Sequence, residues 1–196
     1  MVQQYIMPLV KNAMEPMDNG DTVRTIERVL KLTVPNILVW LLGFYFFFHL
    51  YLNILSEILQ YGNREFYNDF WNSTSMDRFW RTWNLPVHQW LVSHIYLPMI
   101  DMKYTQNVAS FMVFFVSALF HELIICVPFR QVQLMAFMAM MIQLPFCIVT
   151  RKYTRGKVIG NFIFWLSFAM GQANLCLVYY HKFTRAERLL AAQQAA

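Results

Sequence analysis

The stretch SFMVFFVSALFHELIICV, residues 110–127, decides how this chain is interpreted. It is apolar apart from two serines and the adjacent pair His121 and Glu122. Ionisable side chains are costly at membrane depth, so they usually face a cavity, a partner or a reaction. Ser117 lies four residues before His121 on the same helix face, whereas Glu122 points about 100° away. The pair predicts a functional site; the alternative is a histidine satisfied by a neighbouring helix.

The composition around this stretch is that of a membrane protein. The chain is 58% hydrophobic and 14% charged, whereas soluble domains are about 25% charged. The net charge of +5 does not indicate nucleic-acid binding, because the basic residues flank apolar windows instead of forming a stripe. Three cysteines lie inside apolar windows and indicate no disulfide framework: Cys126, Cys147 and Cys176.

These windows predict an all-α, polytopic integral membrane protein with about four full spans. We expect one membrane domain over residues 1–196. Its expected parts are a partial helix 1–15, a span 32–59, an amphipathic aromatic segment 60–103, the His-bearing span 104–129, and spans 131–150 and 158–180.

The residues that precede the first span predict a cap and a short helix. Asp21 or Thr22 can cap a short amphipathic helix over 23–32, whose apolar spacing suits a helix lying along the membrane interface. Pro35 is then expected in the first turn of the next helix, where its missing N–H costs nothing. Further on, His49 and Asn53 are interpreted mainly as interfacial or helix-packing groups.

The distribution of cations predicts the topology. The basic turn (151–157) holds four Lys or Arg residues, so the positive-inside rule makes it cytoplasmic. Two helices separate it from the segment 60–103, which is therefore expected on the cytoplasmic side, with the C-terminus lumenal.

Polar residues inside the later spans have two interpretations. Gln143 and Gln172 are either interhelical hydrogen-bonding groups worth about 1 kcal/mol or parts of a site around His121. Gly171 would allow another helix to approach closely.

A histidine at membrane depth that faces a cytoplasmic loop suits general-base chemistry. A hydroxyl held beside His121 and an activated acyl group from the cytoplasm would give O-acyl transfer. Zinc is not favoured, because no His or Cys cluster accompanies His121. A Ser-His-Asp hydrolase lacks its Gly-x-Ser-x-Gly turn. On these residues alone, a channel or a structural subunit stays open.

Three motifs carry a resemblance to a known family. FYNDFWN (66–72, the signature segment) resembles the FYxDWWN signature of the acyl-CoA:cholesterol/diacylglycerol branch of the membrane-bound O-acyltransferase family, with Phe70 in place of a tryptophan. WNLPVH (83–88) resembles the part of that branch that carries a key asparagine, here Asn84. FHE (120–122) resembles its membrane-embedded histidine and acidic neighbour.

Within that branch the chain most resembles the type-one diacylglycerol acyltransferases, in their C-terminal portion. The resemblance implies transfer of a fatty acyl group from acyl-CoA to diacylglycerol, forming triacylglycerol in a multi-pass protein of the endoplasmic reticulum membrane. A sterol O-acyltransferase is the alternative, although Gln143 and Gln172 are not expected there. A truncated, catalytically incomplete protein of the same family is a second alternative.

The resemblance also implies roles for individual residues. His121 would be the base, with Asn84 and Glu122 as catalytic supports. Acyl-CoA is a substrate, and no cofactor or metal is expected. The implied substrate-binding residues are Phe66, Tyr67, Asp69, Trp71 and Asn72 at the acyl-CoA entrance, together with His88, Ser117, Gln143 and Gln172.

Two departures from the family pattern stand out. Family members carry more cations before the His-bearing helix, where this chain has only Lys103, so the CoA phosphates are expected at Arg78, Arg81, His88 or Lys103. The resemblance also covers only about the last two-fifths of the family's length, which suggests a truncated form or fragment. The expected partners are fatty acyl-CoA, diacylglycerol and membrane lipid. A homo-oligomer stays open, because the family's N-terminal contacts fall outside this chain.

Overall fold

The computed structural model describes residues 2–130 and 132–195, without the side chains of 129, 187 and 189–195. In this part of the chain helices alternate with turns and irregular connections. The α-helices are α1 (Met7–Lys11), α2 (Met14–Asp18), α3 (Thr22–Phe44), α4 (Leu52–Ile58), α5 (Met76–Thr82), α6 (Leu85–Leu91), α7 (Leu97–Asp101), α8 (Gln106–Phe129), α9 (Met135–Tyr153) and α10 (Val158–Ala195). Short π-helical turns cover Val2–Ile6, Tyr45–Tyr51 and Val92–Tyr96, and a 3-10 turn covers Phe70–Asn72.

Four helical runs among the described residues are long and apolar enough to cross a membrane. They are Thr22–Ile58, Gln106–Pro128, Met135–Tyr153 and Val158–Ala186. Only helices and closed barrels satisfy every backbone polar group in lipid, so runs of this length and composition indicate spanning segments. The predicted all-α, polytopic membrane class is confirmed. The span that was expected to begin at Gln131 begins at Met135; Gln131 itself lies outside the described residues.

The first of these runs differs from the sequence prediction. Asp21 caps α3 as expected, accepting a hydrogen bond from the Arg24 backbone N–H at 3.0 Å. Pro35, however, lies inside α3, so the prediction of a separate interfacial helix over 23–32 was wrong. A proline removes one N–H donor, but every other backbone group in an apolar setting still needs its helical partner. The helix therefore continues through Pro35 instead of ending before it.

Contacts divide the chain into two compact units. The terminal unit comprises the residues up to Tyr45 and those from Leu166 onward, and the central unit is Phe46–Trp165. The single membrane domain expected over the whole chain stays a prediction.

The terminal unit is held by close packing of its core and by ionic contacts of Asp18. Ala13, Leu32 and Ala173 are fully buried in its core. Small residues let helices approach closely where lipid supplies no hydrophobic drive. Asp18 accepts a hydrogen bond from His181 at 2.7 Å, and this bond lowers the pKa of the Asp18 carboxyl.

The central unit has an aromatic core built largely from the segment 60–103. Phe79 is 1% exposed and stacks on Trp83, with ring centroids 5.9 Å apart. It also meets the rings of Phe70 and Phe164, at 6.1 and 5.0 Å. Phe70, the departure from the family signature, is therefore a buried packing residue that is 2% exposed. Part of the aromatic segment thus forms protein core.

The backbone just after the signature segment is fastened to the end of α9. The Thr150 hydroxyl accepts a hydrogen bond from the Met76 N–H at 3.2 Å. The Thr154 hydroxyl donates to the Thr74 carbonyl at 2.9 Å, and the Thr74 hydroxyl accepts from the Gly156 N–H at 2.9 Å. These bonds join residues 74 to 82 positions apart and fix 74–76 against the basic turn.

The start of α10 fastens the same segment. The Asn161 side-chain amide donates to the carbonyls of Trp71 and Ser73, at 2.8 and 3.0 Å. Gly160 lies so close that an added Cβ would sit 2.1 Å from the Thr74 carbonyl oxygen. At Gly171, by contrast, no described residue comes within 4 Å of such a Cβ. The helix approach that Gly171 would allow stays a prediction, and the close contact among the described residues is that of Gly160 with the Thr74 backbone.

Candidate active site

His121 sits at the middle of α8 with one ring nitrogen already engaged. Its Nδ1 lies 2.7 Å from the Ser117 backbone carbonyl, and the Ser117 hydroxyl is 3.5 Å away from the same nitrogen. A carbonyl can only accept a hydrogen bond, so Nδ1 carries the proton. Among the described residues nothing hydrogen-bonds Nε2. In its neutral form the imidazole with this tautomer presents its lone pair at Nε2, which is the form a general base requires.

Trp80 covers this histidine, a contact that sequence reasoning missed. The indole and imidazole rings meet edge to face, with centroids 6.3 Å apart and an interplanar angle of 87°. Trp80 also meets Phe114, two turns before His121 on α8. Within the described chain its buried Nε1 has no hydrogen-bond partner. The sequence shows Trp80 as one of several tryptophans, and no pattern indicates which of them faces the histidine.

Glu122 faces away from His121 and holds the start of α9. It is 5% exposed. One carboxylate oxygen accepts the N–H groups of Gln133 and Leu134, at 3.1 and 2.8 Å. The other accepts those of Ala136 and Phe137, at 3.1 and 3.2 Å. Ala136 and Phe137 lie in the first turn of α9, and Gln133 and Leu134 directly precede it. At a helix start amides lack intrahelical partners, and the dipole favours a negative charge. Glu122 thus acts as a cap supplied by a neighbouring helix.

Asn84 is engaged in a cap of its own. It precedes α6, and its side-chain oxygen accepts the Val87 N–H at 3.2 Å. Its neighbour Leu85 donates its N–H to the Phe66 carbonyl at 3.0 Å, so the signature segment begins beside Asn84. No hydrogen bond joins Asn84 to His121 within the described residues. Its role as a support of His121 stays a prediction.

The signature segment has one buried end and one open end. Phe66 is buried, and a cavity of about 340 Å3 lies beside it, lined also by Asn63, Gln89 and His94. The Tyr67 hydroxyl and the Nδ1 of His49 are 2.8 Å apart, which ties the segment to the π-helical turn of the first span. Three predicted site residues are exposed: Asp69, Trp71 and Asn72. His49, interpreted from the sequence mainly as a packing group, is thus a partner of the segment.

His88 and Arg81 lie on the helices that follow. Burial, and secondarily the nearby Arg81 charge, lower the pKa of His88, so its neutral form is favoured. The mostly exposed side chain of Arg81 lies 3.8 Å from the largely buried carboxylate of Asp77. Arg78 and Lys103 are exposed, and neither forms an ion pair with a described residue, so the expectation that they bind phosphate stays a prediction.

The two glutamines fall in different units. Gln143 lies on α9 in the central unit, and its buried Oε1 has no hydrogen-bond partner among the described residues. Gln172 lies half-buried on α10 in the terminal unit. Gly171 beside it lines a cavity of about 320 Å3 with Ile26, Val29 and Asn174. In the described part of the chain no three His, Cys, Asp or Glu side chains group as metal ligands would.

Comparisons with known proteins agree with the motifs. The model of the membrane-bound O-acyltransferase family matches residues 2–181. The chain is 51% identical to diacylglycerol O-acyltransferase 1 of Dictyostelium discoideum over 93% of its length, which is 30% of that protein. It is 49% identical to the protein of the same name from Arabidopsis thaliana, over 92% of this chain and 35% of that one. The chain spans about a third of the length of these relatives, in their C-terminal portion.

Proposed function

The chain belongs to the membrane-bound O-acyltransferase family, and from that premise we propose that it carries the acyl-transfer site of a diacylglycerol O-acyltransferase. The donor is fatty acyl-CoA and the acceptor is diacylglycerol. The observation that carries the proposal is the 2.7 Å contact between His121 Nδ1 and the Ser117 carbonyl, since it leaves Nε2 as the proton acceptor.

The reaction balances with this one base. Nε2 of His121 takes the proton of the acceptor hydroxyl as its oxygen attacks the thioester carbonyl carbon. The tetrahedral intermediate collapses, the C–S bond breaks, and the imidazolium returns the proton to the CoA thiolate. The products are triacylglycerol and CoA.

Other residues act around that centre. Gln143, on the helix next to α8, has a carboxamide suited to an acyl or glycerol oxygen. Glu122 acts through the backbone: by capping α9 it positions the helix that carries Gln143. Phe66, with the adjacent cavity and the Tyr67–His49 contact, supports the signature segment as the acyl-CoA entrance.

The proposed setting is the endoplasmic reticulum membrane, with 60–103 and the basic turn cytoplasmic and the C-terminus lumenal. The hydrogen bonds between 71–76 and 150–161 support this arrangement, because two segments that bond directly lie at one face of the membrane.

The test is turnover of labelled oleoyl-CoA by microsomes that contain the chain, with diacylglycerol and cholesterol offered separately. His121→Ala is expected to lower triacylglycerol synthesis about a thousandfold, as loss of a general base does. Ser110→Ala is the matched control: Ser110 lies on the same helix outside the predicted site, and the rate of this variant should stay within about threefold of wild type. An active His121→Ala variant would refute the proposal.

Two further outcomes separate the alternatives. Cholesterol ester as the main product would favour a sterol acyltransferase. Turnover in microsomes that is lost in the purified chain would favour a site that needs partner subunits.

A further inference from the structure

The basic turn carries four exposed cations that the acyl-transfer chemistry does not use. They are Arg151, Lys152, Arg155 and Lys157. None of them forms an ion pair with a described residue, whereas Arg64 and Arg81 of the same unit do. Clustered like charges repel one another, and a bound polyanion would relieve that repulsion. The turn is therefore a dense cluster of positive charge on the surface of the central unit.

The cations are presented by an ordered turn. Thr154 is 8% exposed and bonds the Thr74 carbonyl. Gly156 adopts a φ of +78°, a value that favours glycine, and donates its N–H to the Thr74 hydroxyl. Arg155 and Lys157 flank that glycine. Their backbone positions are thus fixed relative to residues 74–76, which follow the signature segment.

The same segment leads directly to the reacting histidine. Met76 is bonded to Thr150 at the start of the turn, and Trp80, about one helical turn further along α5, covers His121. One short helix thus connects the cation cluster with the proposed base.

We propose that the basic turn binds the phosphate groups of the acyl-CoA donor, an inference that rests on the proposed function. CoA carries its phosphates at the far end of a long pantetheine arm from the thioester. A site with the thioester at His121 therefore needs cations some distance away, next to the entrance segment. Guanidinium and ammonium groups bind phosphate oxygens by charge-assisted hydrogen bonds. The turn adds four cations to those expected at Arg78, Lys103 and the Asp77-paired Arg81.

Phosphates of anionic lipid headgroups offer the same chemistry, so the experiment separates the two sources. The chain is reconstituted in phosphatidylcholine nanodiscs, with or without phosphatidylserine. Calorimetric titration with free CoA is compared for wild type, Arg155→Gln/Lys157→Gln and the control Lys182→Gln/Arg185→Gln. The control removes the same charge from exposed positions on α10 in the terminal unit.

The turn variant is expected to weaken CoA binding about tenfold in pure phosphatidylcholine, as loss of two partly screened phosphate contacts predicts. KM for oleoyl-CoA should rise similarly, with kcat and KM for diacylglycerol unchanged. Added salt should weaken CoA binding to wild type more than to the variant. The charge-keeping variant Arg155→Lys/Lys157→Arg should bind nearly as wild type does, which separates lost charge from a misfolded turn.

Unchanged CoA affinity in the turn variant overturns the inference, and so does a defect seen only with phosphatidylserine, which would assign the turn to lipid. His121→Ala should bind CoA normally. If wild type binds CoA through the turn yet forms no triacylglycerol, the phosphate site stands and the proposed function fails. If wild type turns over normally and the turn variant matches it, the phosphate site alone fails.

Discussion

The two ends of α9 are held in opposite ways. At its start, a single buried carboxylate, Glu122, accepts four backbone N–H groups. At its end and along the first turns of α10, which follows, hydroxyl, amide and indole groups of Thr150, Thr154, Asn161 and Trp165 each make one or two bonds to 71–76. The start thus depends on one charge, whereas the end depends on many neutral contacts.

This difference follows from what each end must satisfy. Leu134, at the cap position of α9, has a left-handed φ of 55° and no side chain that could accept a hydrogen bond. The unpaired amides of a helix start need an acceptor, and here it comes from α8. The end of α9 leaves carbonyl groups instead, and the Thr154 N–H donates to the Thr150 carbonyl there at 2.9 Å. Its hydrogen bonds position another segment instead. One substitution at Glu122 should therefore remove the whole anchor at the start of α9. Single substitutions among the contacts to 71–76 should each remove only part of the other anchor.

The largest effect is expected at Glu122. Glu122→Gln keeps the size of the side chain but replaces one acceptor oxygen with a donor that opposes backbone N–H groups. We expect a loss of about 3 kcal/mol in the free energy of unfolding, because buried amides lose charge-assisted bonds. Unfolding in detergent followed by circular dichroism measures it.

Glu57→Gln is the matched control, since the Glu57 side chain pairs, among the described residues, with Arg64 alone, in an exposed ion pair. Its effect should stay below about 0.5 kcal/mol. Equal effects of the two substitutions would contradict the asymmetry between the ends of α9.

A smaller effect is expected from Gly160→Ala at the start of α10, where several hydrogen bonds share the anchoring of 71–76. The new Cβ would lie 2.1 Å from the Thr74 carbonyl oxygen, so backbone must move. Overpacking of this kind costs about 2 kcal/mol. Gly171→Ala, on the same helix with open space around it among the described residues, should be neutral or slightly stabilising. Thermal unfolding of both variants gives the comparison, and a stable Gly160→Ala would mean that 71–76 is not docked here.

The smallest effect is expected from Asn161→Ala, at about 1 kcal/mol. It removes the bonds to Trp71 and Ser73, but Trp165 still donates to the Trp71 carbonyl at 3.1 Å. Asn161→Asp should be worse than alanine, because a carboxylate faces two carbonyl oxygens with no proton to donate. Chemical unfolding of the two variants tests this order. The reverse order would exclude these bonds as the anchoring contacts.

Much of the fold could be predicted from local patterns. Apolar windows indicated four spanning helices, and Asp21 indicated the cap of α3. The break at Pro35 was predicted wrongly, because helix propensity describes one residue, whereas the unmet hydrogen bonds of a whole segment decide whether a helix continues.

The candidate site also contains contacts that the sequence predicts and contacts that it does not. His121 with Ser117 one turn before it follows from helical periodicity. Trp80 over His121 and Tyr67 against His49 do not, since each joins side chains from separate elements.

The sequence by itself determined the membrane class, the family and the position of the ionisable pair, because hydropathy and motif spacing are properties of neighbouring residues. Only the tertiary structure decided that Glu122 caps α9, that Gly160 closely contacts the Thr74 backbone, and that the basic turn lies beside 71–76. The hydrogen bonds that fasten this turn and the start of α10 to 71–76 join residues 80 to 94 positions apart. Bonds over such distances depend on how helices pack, which no local pattern records.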